Sequence, residues 1–354
     1  MNHAKKLALV LALILGLCAL AAGCGGKDDA VTLNVLNWGD YIDEELIARF
    51  TEETGIQINY QTMANNEEML VKLQAPDCIY DLCFPSDYII EKLIGQELLH
   101  PINKENIPNL KNIDPRFLDL SFDPGNTYSV PYMWGTVGIL YNTTMVTEPV
   151  TSWNVLWDEQ YAQQIYMYDS IRDTIGVTLI KLGKSINTRD EADIKAAEEA
   201  LIAQKPIVLA YLGDSIKESM INGDGALAVV YSGDAMWCMD EEEGNPDLAY
   251  AVPEEGSNLW FDNIVIPKTS DHAAEAEAFI NFLCEADVAK QNTEYIGYST
   301  PNQAAMALLD ESYTANLTYN PPQEILDKCE IFHDLGDFIT VYNDAWNNIK
   351  LHVD

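Results

Sequence analysis

Asn37-Trp38-Gly39-Asp40-Tyr41 is the stretch that decides the fold, because it joins two segments of different periodicity. Before it, the apolar residues Leu33 and Val35 alternate with polar ones, which predicts a β-strand. After it, residues 43–54 have the pattern of an amphipathic helix with acidic residues in its first turn. In α/β folds, ligands collect at the sheet edge where strands pass into helices. The stretch therefore predicts an α/β protein with part of its binding site on this turn.

The side chains of this turn also indicate the class of ligand. Asp40 lies between the two aromatic residues Trp38 and Tyr41. Aromatic faces attract cations, and a carboxylate favours a nearby opposite charge. We therefore expect the turn to form one wall of a pocket for a cationic molecule.

Strand and helix patterns alternate along the rest of the chain, which predicts lobes with central, mainly parallel sheets flanked by helices. Residues 128–141 are β-prone and are a candidate crossover between two lobes. Residues 273–294 predict one long helix. Trp153 and Trp157 are four residues apart on one predicted helix face, and we interpret them as packing residues. No low-complexity linker is present in the sequence, so we expect several ordered strands to join the lobes.

The N-terminus has the composition of an export signal. Two lysines precede an apolar run, residues 7–22, which is shorter than the roughly 20 residues that a bilayer span needs. Small residues then lead to Cys24, and this pattern resembles a bacterial lipobox. We expect residues 1–23 to be a signal peptide and residues 24–30 a linker lipidated at Cys24. The lipid would anchor the protein outside the cytoplasm, in a periplasm or on the outer face of a monoderm membrane; a plain cleaved signal is the alternative.

Composition restricts the class of partner. The formal net charge is −36, and it becomes −38 without residues 1–23, which carry two lysines and no acidic residue. This charge argues against nucleic acid, which requires a basic surface, and raises the local concentration of cations. Beyond Cys24 the number of cysteines is odd, and none has the spacing of a zinc site, so we expect a free thiol, no metal centre and no cofactor. These cysteines are Cys78, Cys83, Cys238, Cys284 and Cys329.

The sequence lacks the common signatures of enzymes. It contains no GxxxxGKS phosphate loop, no HExxH, no GxSxG and no Rossmann glycine fingerprint. Asp169 with Asp173, or Asp234 with Glu241, could form the carboxylate pair of an exported hydrolase, but nothing in the sequence places either pair across a scissile bond. We therefore expect a binding protein and not an enzyme.

Aromatic and acidic residues recur where apolar runs end. The groups are Trp38/Asp40/Tyr41, Ser86/Tyr88, Asp169/Asp173, Tyr231/Asp234 and Trp260/Asp262. One such group could be a core residue beside a helix cap, but the repetition predicts side chains that converge between two facing lobes. An ammonium over an aromatic face gains roughly 0.5–2 kcal/mol, and carboxylates accept its three protons. A micromolar ligand needs about 8 kcal/mol, which such contacts can supply to a diamine or triamine.

Six segments in this order resemble a known family: NWGDYI (37–42), YDLCFPSDY (80–88), YSVPYMWGTVGILYN (128–142), TSWNVLWDEQY (151–161), WFDNIVIP (260–267) and IGYSTPN (296–302). The chain resembles the extracytoplasmic spermidine/putrescine-binding proteins of bacterial ABC transporters over residues 31–350. The resemblance implies a two-lobed periplasmic-binding-protein (venus-flytrap) fold with the polyamine between the lobes. It also implies a monomer that delivers its ligand to an ABC permease. By this comparison, lobe 1 comprises residues 31–134 and 259–308, and lobe 2 comprises residues 135–258 and 309–354.

The resemblance also implies roles for individual residues. Aromatic walls would come from Trp38, Tyr41, Tyr231, Trp260 and Tyr298, and amine acceptors from Asp40, Asp173, Asp234 and Asp262, with Ser86 or Tyr88 lining the same side as the first loop. Among the acceptors, Asp262 matches the central carboxylate, Asp173 matches a terminal-amine position, and Asp234 matches the putrescine-preferring branch.

Four positions depart from the family pattern. They are Gly39, Ser170, Tyr231 and Phe332, where relatives have a hydroxyl residue, a carboxylate, a tryptophan and a glutamine. These differences remove hydrogen-bonding groups from the implied site. They leave the choice between putrescine and spermidine open, and a receptor for another organic cation or Fe(III) is the alternative within the binding class.

Overall fold

The computed structural model of the chain describes residues 31–240 and 243–352. The expected signal peptide and the expected lipidation site, Cys24, lie outside the described residues. Among the helices that are described, none is both long enough and apolar enough to cross a membrane.

The described residues form nine strands, which are β1 (Thr32–Trp38), β2 (Gln57–Met63), β3 (Leu82–Cys83), β4 (Ser129–Asn142), β5 (Ile165–Tyr168), β6 (Val208–Leu212), β7 (Leu227–Tyr231), β8 (Leu248–Ala251) and β9 (Leu259–Val265). The α-helices of the same residues are α1 (Glu44–Thr54), α2 (Asn66–Gln74), α3 (Asp87–Gly95), α4 (Ile171–Lys181), α5 (Glu191–Gln204), α6 (Ile216–Ile221), α7 (Ser232–Cys238), α8 (Ala273–Leu283), α9 (Ala286–Ile296), α10 (Gln303–Met306), α11 (Glu311–Thr314), α12 (Gln323–Leu326) and α13 (Ile339–Leu351). Short 3₁₀ segments cover Lys104–Asn106, Pro108–Asn112, Pro115–Phe117, Trp153–Trp157, Glu159–Tyr161, Lys205–Ile207 and Gly336–Phe338.

The strands form one continuous sheet in the order β2-β1-β3-β9-β4-β7-β5-β6, with β8 also paired to β4. At one end β1 is parallel to β2 and β3, and at the other end β5 is parallel to β6 and β7. The antiparallel pairings all involve β4 or β9. This is the two-lobed periplasmic-binding-protein fold, an α/β architecture in which parallel strands form the body of each lobe and antiparallel strands connect the two.

Strand β4 is the crossover that the sequence predicts at residues 128–141. Its first part pairs with β9 and its second part pairs with β7 and β8. Only Tyr141 among its residues is not buried, because helices and loops cover both faces of the sheet. Residues of the candidate site lie on the two neighbours of β4, with Trp260 and Asp262 on β9 and Tyr231 at the end of β7.

The helix predicted for residues 273–294 is wrong in one respect: it is two helices, α8 and α9. Glu285 has an extended backbone, with ψ of 143°. The carbonyl oxygen of Cys284 accepts hydrogen bonds from the side-chain amides of Asn112, at 3.0 Å, and Asn302, at 2.9 Å. Side chains from distant segments thus bind the carbonyl that an uninterrupted helix would use, and no local pattern predicts these contacts.

The interpretation of Trp153 and Trp157 as packing residues is confirmed, although they lie in a 3₁₀ segment. The Trp153 side chain is fully buried and its indole donates to the carbonyl oxygen of Gly256 at 2.8 Å.

The cysteines of the described chain are all unpaired. The odd count among them therefore corresponds to free thiols, of which Cys83, Cys238 and Cys284 are buried.

Candidate functional site

Asp262 is the carboxylate around which the first half of the site is built. It lies on β9 beside the crossover strand and is 7% exposed. The hydroxyl of Tyr41 donates to Oδ2 at 2.8 Å, and the hydroxyl of Ser86 donates to Oδ1 at 2.6 Å. Ser86 reaches this carboxylate because it follows β3 and bridges to Asp262 as the sheet continues. Three segments far apart in sequence therefore meet at one carboxylate.

Burial determines the protonation of Asp262. Loss of solvent raises its pKa from 3.8 to about 6, and the hydrogen bonds from Ser86 and Tyr41 oppose the shift only in part. A cation held next to this carboxylate would favour the charged form and lower the pKa again.

Asp173 is the second carboxylate, in the first turn of α4. Its Oδ2 accepts hydrogen bonds from Ser170, at 2.6 Å, and from the Tyr231 hydroxyl, at 2.9 Å. Oδ1 is buried and has no partner within hydrogen-bond geometry, although the Asn258 side chain lies close enough to lower the pKa of the carboxyl as a weak hydrogen-bond donor. Burial raises the pKa of Asp173, against the opposing effects of these hydroxyl groups. A buried acceptor without a donor is destabilising by about 1–3 kcal/mol, so a donor placed at this oxygen would be stabilising.

Asp234 is the third carboxylate, in the first turn of α7. The Tyr298 hydroxyl donates to its Oδ1 at 3.1 Å. The Lys217 ammonium lies 3.5 Å from the same oxygen. Burial raises the pKa of Asp234 and the charge of Lys217 opposes that rise. Among the three carboxylates of the site, Asp234 thus has a cationic side chain beside it.

Aromatic rings connect the three carboxylates. The ring of Trp260 packs edge-to-face against Tyr298, at 5.1 Å between centroids, and against Tyr231, at 6.0 Å. Tyr298 in turn packs against Tyr41 at 5.8 Å. The Trp260 indole nitrogen is buried and has no hydrogen-bond partner. These rings form a continuous aromatic layer from Asp262 to Asp173 and Asp234.

Two glycines provide the space for this layer. A Cβ added to Gly135 would lie 2.5 Å from the Trp260 ring, and a Cβ added to Gly233 would lie 2.2 Å from the Tyr298 ring. Both distances are far shorter than van der Waals contact, so only glycine permits the rings to lie against the backbone here.

The remaining predicted site residues are Trp38, Tyr88 and Asp40, and they differ in burial and in their partners. Trp38 is half-buried and its indole donates to the carbonyl oxygen of Phe84 at 2.9 Å. Tyr88 is half-buried and its hydroxyl donates to Glu67 at 3.3 Å. Asp40 is exposed, with a φ of +49°, and interacts electrostatically with Tyr60 and Tyr295. The structure does not bring Asp40 into the group of buried carboxylates, and its role stays a prediction.

One of the two carboxylate pairs considered for a hydrolase, Asp169 with Asp173, lies within the described residues. Asp169 is exposed and accepts from the Lys350 ammonium at 2.8 Å, whereas Asp173 is buried and accepts from Ser170 and Tyr231. Glu241, the candidate partner of Asp234, lies outside the described residues. In the ranges 31–240 and 243–352, no three His, Cys, Asp or Glu side chains form a group that could hold a metal ion.

Three charged residues of the site were not predicted from the sequence. Asp87 is fully buried and accepts from the backbone amides of Tyr88, at 2.7 Å, and Phe261, at 3.1 Å, which fixes the backbone next to Asp262. Arg172 is 6% exposed, and its guanidinium lies 4.2 Å from the centre of the Phe332 ring. Lys217 is the third. The position of Asp87 inside the segment 80–88 could have suggested it, but nothing local distinguishes Arg172 or Lys217 from surface cations.

Comparison with known proteins places this site in context. The family described as bacterial extracellular solute-binding protein matches residues 45–320. The spermidine/putrescine-binding periplasmic protein of Escherichia coli is 36% identical over 337 residues, which cover 95% of this chain and 96% of that protein. Two solved structures are similar. The spermidine/putrescine ABC transporter substrate-binding protein PotD of Streptococcus pneumoniae has a TM-score of 0.82, 41% identity and coverage of 91% of this chain and 99% of that one. The TpPotD lipoprotein of Treponema pallidum has a TM-score of 0.80, 26% identity and coverage of 90% and 99%. The chain therefore belongs to the family of bacterial extracellular solute-binding proteins.

Proposed function

We propose that this protein is the substrate-binding subunit of a polyamine ABC importer, with putrescine, spermidine or both as its ligand. The observation that carries the proposal is the presence of three buried carboxylates, Asp173, Asp234 and Asp262, around one aromatic layer. Burial raises the pKa of each of these carboxylates, and an alkylammonium group would favour their charged form while it supplies hydrogen-bond donors. The names of the relatives from Escherichia coli and Streptococcus pneumoniae support the same ligand class.

The residue types also fit the body of a polyamine, which is a flexible chain of methylenes between ammonium groups. The rings of Trp260, Tyr231 and Tyr298 provide apolar contact for methylenes and attract a neighbouring ammonium. The unpaired Oδ1 of Asp173 would accept a hydrogen bond from one amine, and Asp262 would accept from another. Neither interaction requires covalent chemistry, and we propose a binding protein without enzymatic activity.

We further propose that ligand binding controls closure of two lobes, one comprising residues 31–134 and 259–308 and the other residues 135–258 and 309–354. Asp262 would then lie on one lobe and Asp173 and Asp234 on the other. A bound polyamine offsets the mutual repulsion of these carboxylates. The polyamine binds the closed state more tightly than the open state, and binding therefore favours closure. The side chain of Glu91 supports this mechanism, because it accepts from the Asp334 amide at 2.8 Å and so joins the two proposed lobes.

The cellular context is proposed from the N-terminal sequence and the family. Residues 1–23 would be removed as a signal peptide, and a lipid on Cys24 would anchor the protein outside the cytoplasm. A relative from Treponema pallidum is named a lipoprotein, which supports this anchor. The closed monomer would dock on the transmembrane subunits of the permease.

The test is isothermal titration calorimetry of residues 31–354 with putrescine and with spermidine, alongside thermal unfolding at increasing ligand concentration. A binder gains stability as free ligand exceeds Kd, by about 2.7 kcal/mol at a hundredfold excess. Betaine and ferric citrate serve as the comparison for another organic cation and for iron. Absence of heat and of a thermal shift with both polyamines at millimolar concentration would overturn the proposal.

The variant Trp260→Ala tests the aromatic layer, and Trp157→Ala is its matched control. Loss of Trp260 removes ring contacts worth roughly 0.5–2 kcal/mol each, so we expect Kd to rise by about twofold to thirtyfold for each ammonium that contacts the ring. Trp157 is half-buried and donates to the carbonyl oxygen of Ala200 at 3.0 Å, away from the carboxylates. Its variant should unfold at lower temperature but bind polyamine with unchanged affinity.

A further inference from the structure

Lys217 is a cation of this chain placed where a ligand amine would be expected. Its ammonium lies 3.5 Å from Asp234 Oδ1, and the side chain is 28% exposed. The ring of Trp237 is a second neighbour, with its centroid 5.6 Å from the ammonium. An ammonium beside both an aromatic face and a carboxylate has the surroundings that the proposed site offers to a polyamine. Asp234 is thus already partnered without any ligand.

The charge of Lys217 is maintained in this position. Burial lowers its pKa, but the carboxylates of Asp234 and Asp214 outweigh burial, and the pKa is raised above its ordinary value. Tyr298 donates to the same carboxylate oxygen at 3.1 Å, which orients Asp234 toward the aromatic layer and Lys217 together. The ion pair of Lys217 and Asp234 therefore lies next to the aromatic layer.

The charged groups of the site then indicate the number of amines in its ligand. Its buried carboxylates are Asp87, Asp173, Asp234 and Asp262, and its cations are Arg172 and Lys217. Arg172 interacts electrostatically with both Asp87 and Asp173, so its charge is offset within the site. With Asp234 paired to Lys217, two carboxylates of the aromatic layer, Asp173 and Asp262, form no salt bridge within the described residues, and a diamine has one ammonium group for each. Without Lys217 all three carboxylates would be open to an ammonium, which matches a triamine.

We propose that Lys217 is a specificity-determining residue that occupies Asp234 and makes the cleft favour a diamine over a triamine. The inference rests on the proposed polyamine function and goes beyond it in assigning the discrimination to one side chain. A third ammonium would have to compete with Lys217 for Asp234 or lie near a like charge, and like charges oppose binding. A diamine reaches Asp173 and Asp262 without disturbing the ion pair.

The experiment compares Lys217→Met and Lys217→Gln with the wild type by calorimetry, using putrescine and spermidine. We expect the ratio of the spermidine Kd to the putrescine Kd to fall about tenfold in both variants, equivalent to about 1.4 kcal/mol. Lys181→Met is the matched control, because the Lys181 ammonium lies 4.7 Å from the Trp157 ring centre and has no site carboxylate beside it among the described residues. Its ratio should equal that of the wild type.

The coupling between Lys217 and Asp234 supplies a second measurement. Asp234→Asn leaves the lysine charge without its partner, so we expect spermidine to weaken more than putrescine. In the Asp234→Asn variant, the added substitution Lys217→Met should no longer change the Kd ratio as it does in the wild type.

The outcomes separate this inference from the proposed function. If the wild type binds polyamines and the Kd ratio is unchanged in Lys217→Met or Lys217→Gln, the role of Lys217 is refuted and the proposed function stands. An unchanged ratio in Asp234→Asn refutes it as well, including where a Lys217 variant does not fold. If the wild type binds neither polyamine, both conclusions are overturned.

Discussion

Replacement of Asp262 by asparagine should stabilise the ligand-free protein and weaken polyamine binding at the same time. The substitution keeps the side-chain volume and can still hydrogen-bond to Tyr41 and Ser86, which now contact the carboxylate at 2.8 and 2.6 Å. It removes a negative charge from a position that is 7% exposed. The two effects have opposite signs because burial penalises the charge in the free protein, and the ligand requires it.

The magnitude of the stabilisation follows from the pKa of Asp262. Burial raises this pKa from 3.8 to about 6, and each pKa unit corresponds to about 1.36 kcal/mol. The ionised carboxylate therefore lowers the free energy of unfolding by about 3 kcal/mol at neutral pH. Between pH 3.8 and about 6 the folded state binds more protons than the unfolded state, so this contribution to stability decreases as pH rises through that window. Below the window the penalty is absent, and above it the penalty is complete.

Urea unfolding of wild type and Asp262→Asn across this pH range measures the effect. The stability difference between the two should grow as pH rises to about 6 and stay constant above it. Calorimetry at neutral pH should show polyamine binding weakened by about 2–5 kcal/mol, the usual cost of removing one partner from a buried charge pair.

Asp81→Asn is the matched control for this experiment. Asp81 is 4% exposed and accepts from the Asn34 amide at 2.9 Å and from the Ser270 hydroxyl at 2.6 Å, before β3 and away from the aromatic layer. Its variant should leave polyamine affinity unchanged. An Asp262→Asn protein that is less stable than wild type at neutral pH, or that keeps full affinity, would refute the reasoning.

Three further predictions test other parts of the site. Polyamine affinity should fall as pH drops below about 6, with protonation of Asp262 alone contributing up to about tenfold per pH unit; calorimetry at a series of pH values checks this, and an affinity that does not fall would contradict it. Gly233→Ala should displace the Tyr298 ring and lower stability by about 1–3 kcal/mol together with affinity, whereas Gly39→Ala, whose Cβ meets nothing within 4 Å, should do neither in the same unfolding and titration assays. Cys24→Ala should abolish incorporation of a labelled fatty acid and release the protein from membranes, and labelling that persists would contradict the lipid anchor.

Much of the fold could be predicted because it depends on local patterns. The alternation in β1, the acidic first turn of α1 and the β-prone crossover β4 are short-range properties that the structure confirms. The predicted helix over residues 273–294 was wrong because its interruption depends on Asn112 and Asn302, which lie far from it in the sequence. Patterns predict an element, and contacts between distant elements decide where it ends.

The candidate site could likewise be predicted only in part. The sequence by itself determined the chemistry: aromatic and acidic residues where strands end, in a chain of strongly negative charge. Asp40 and Asp262 have similar neighbours in sequence, yet Asp40 is exposed and Asp262 is 7% exposed with two hydroxyl partners. Only the tertiary structure decided this difference, and only it placed Lys217 beside Asp234. Solvent exposure and counter-ions determine what a carboxylate can bind, and both arise from residues that meet only when the chain has folded.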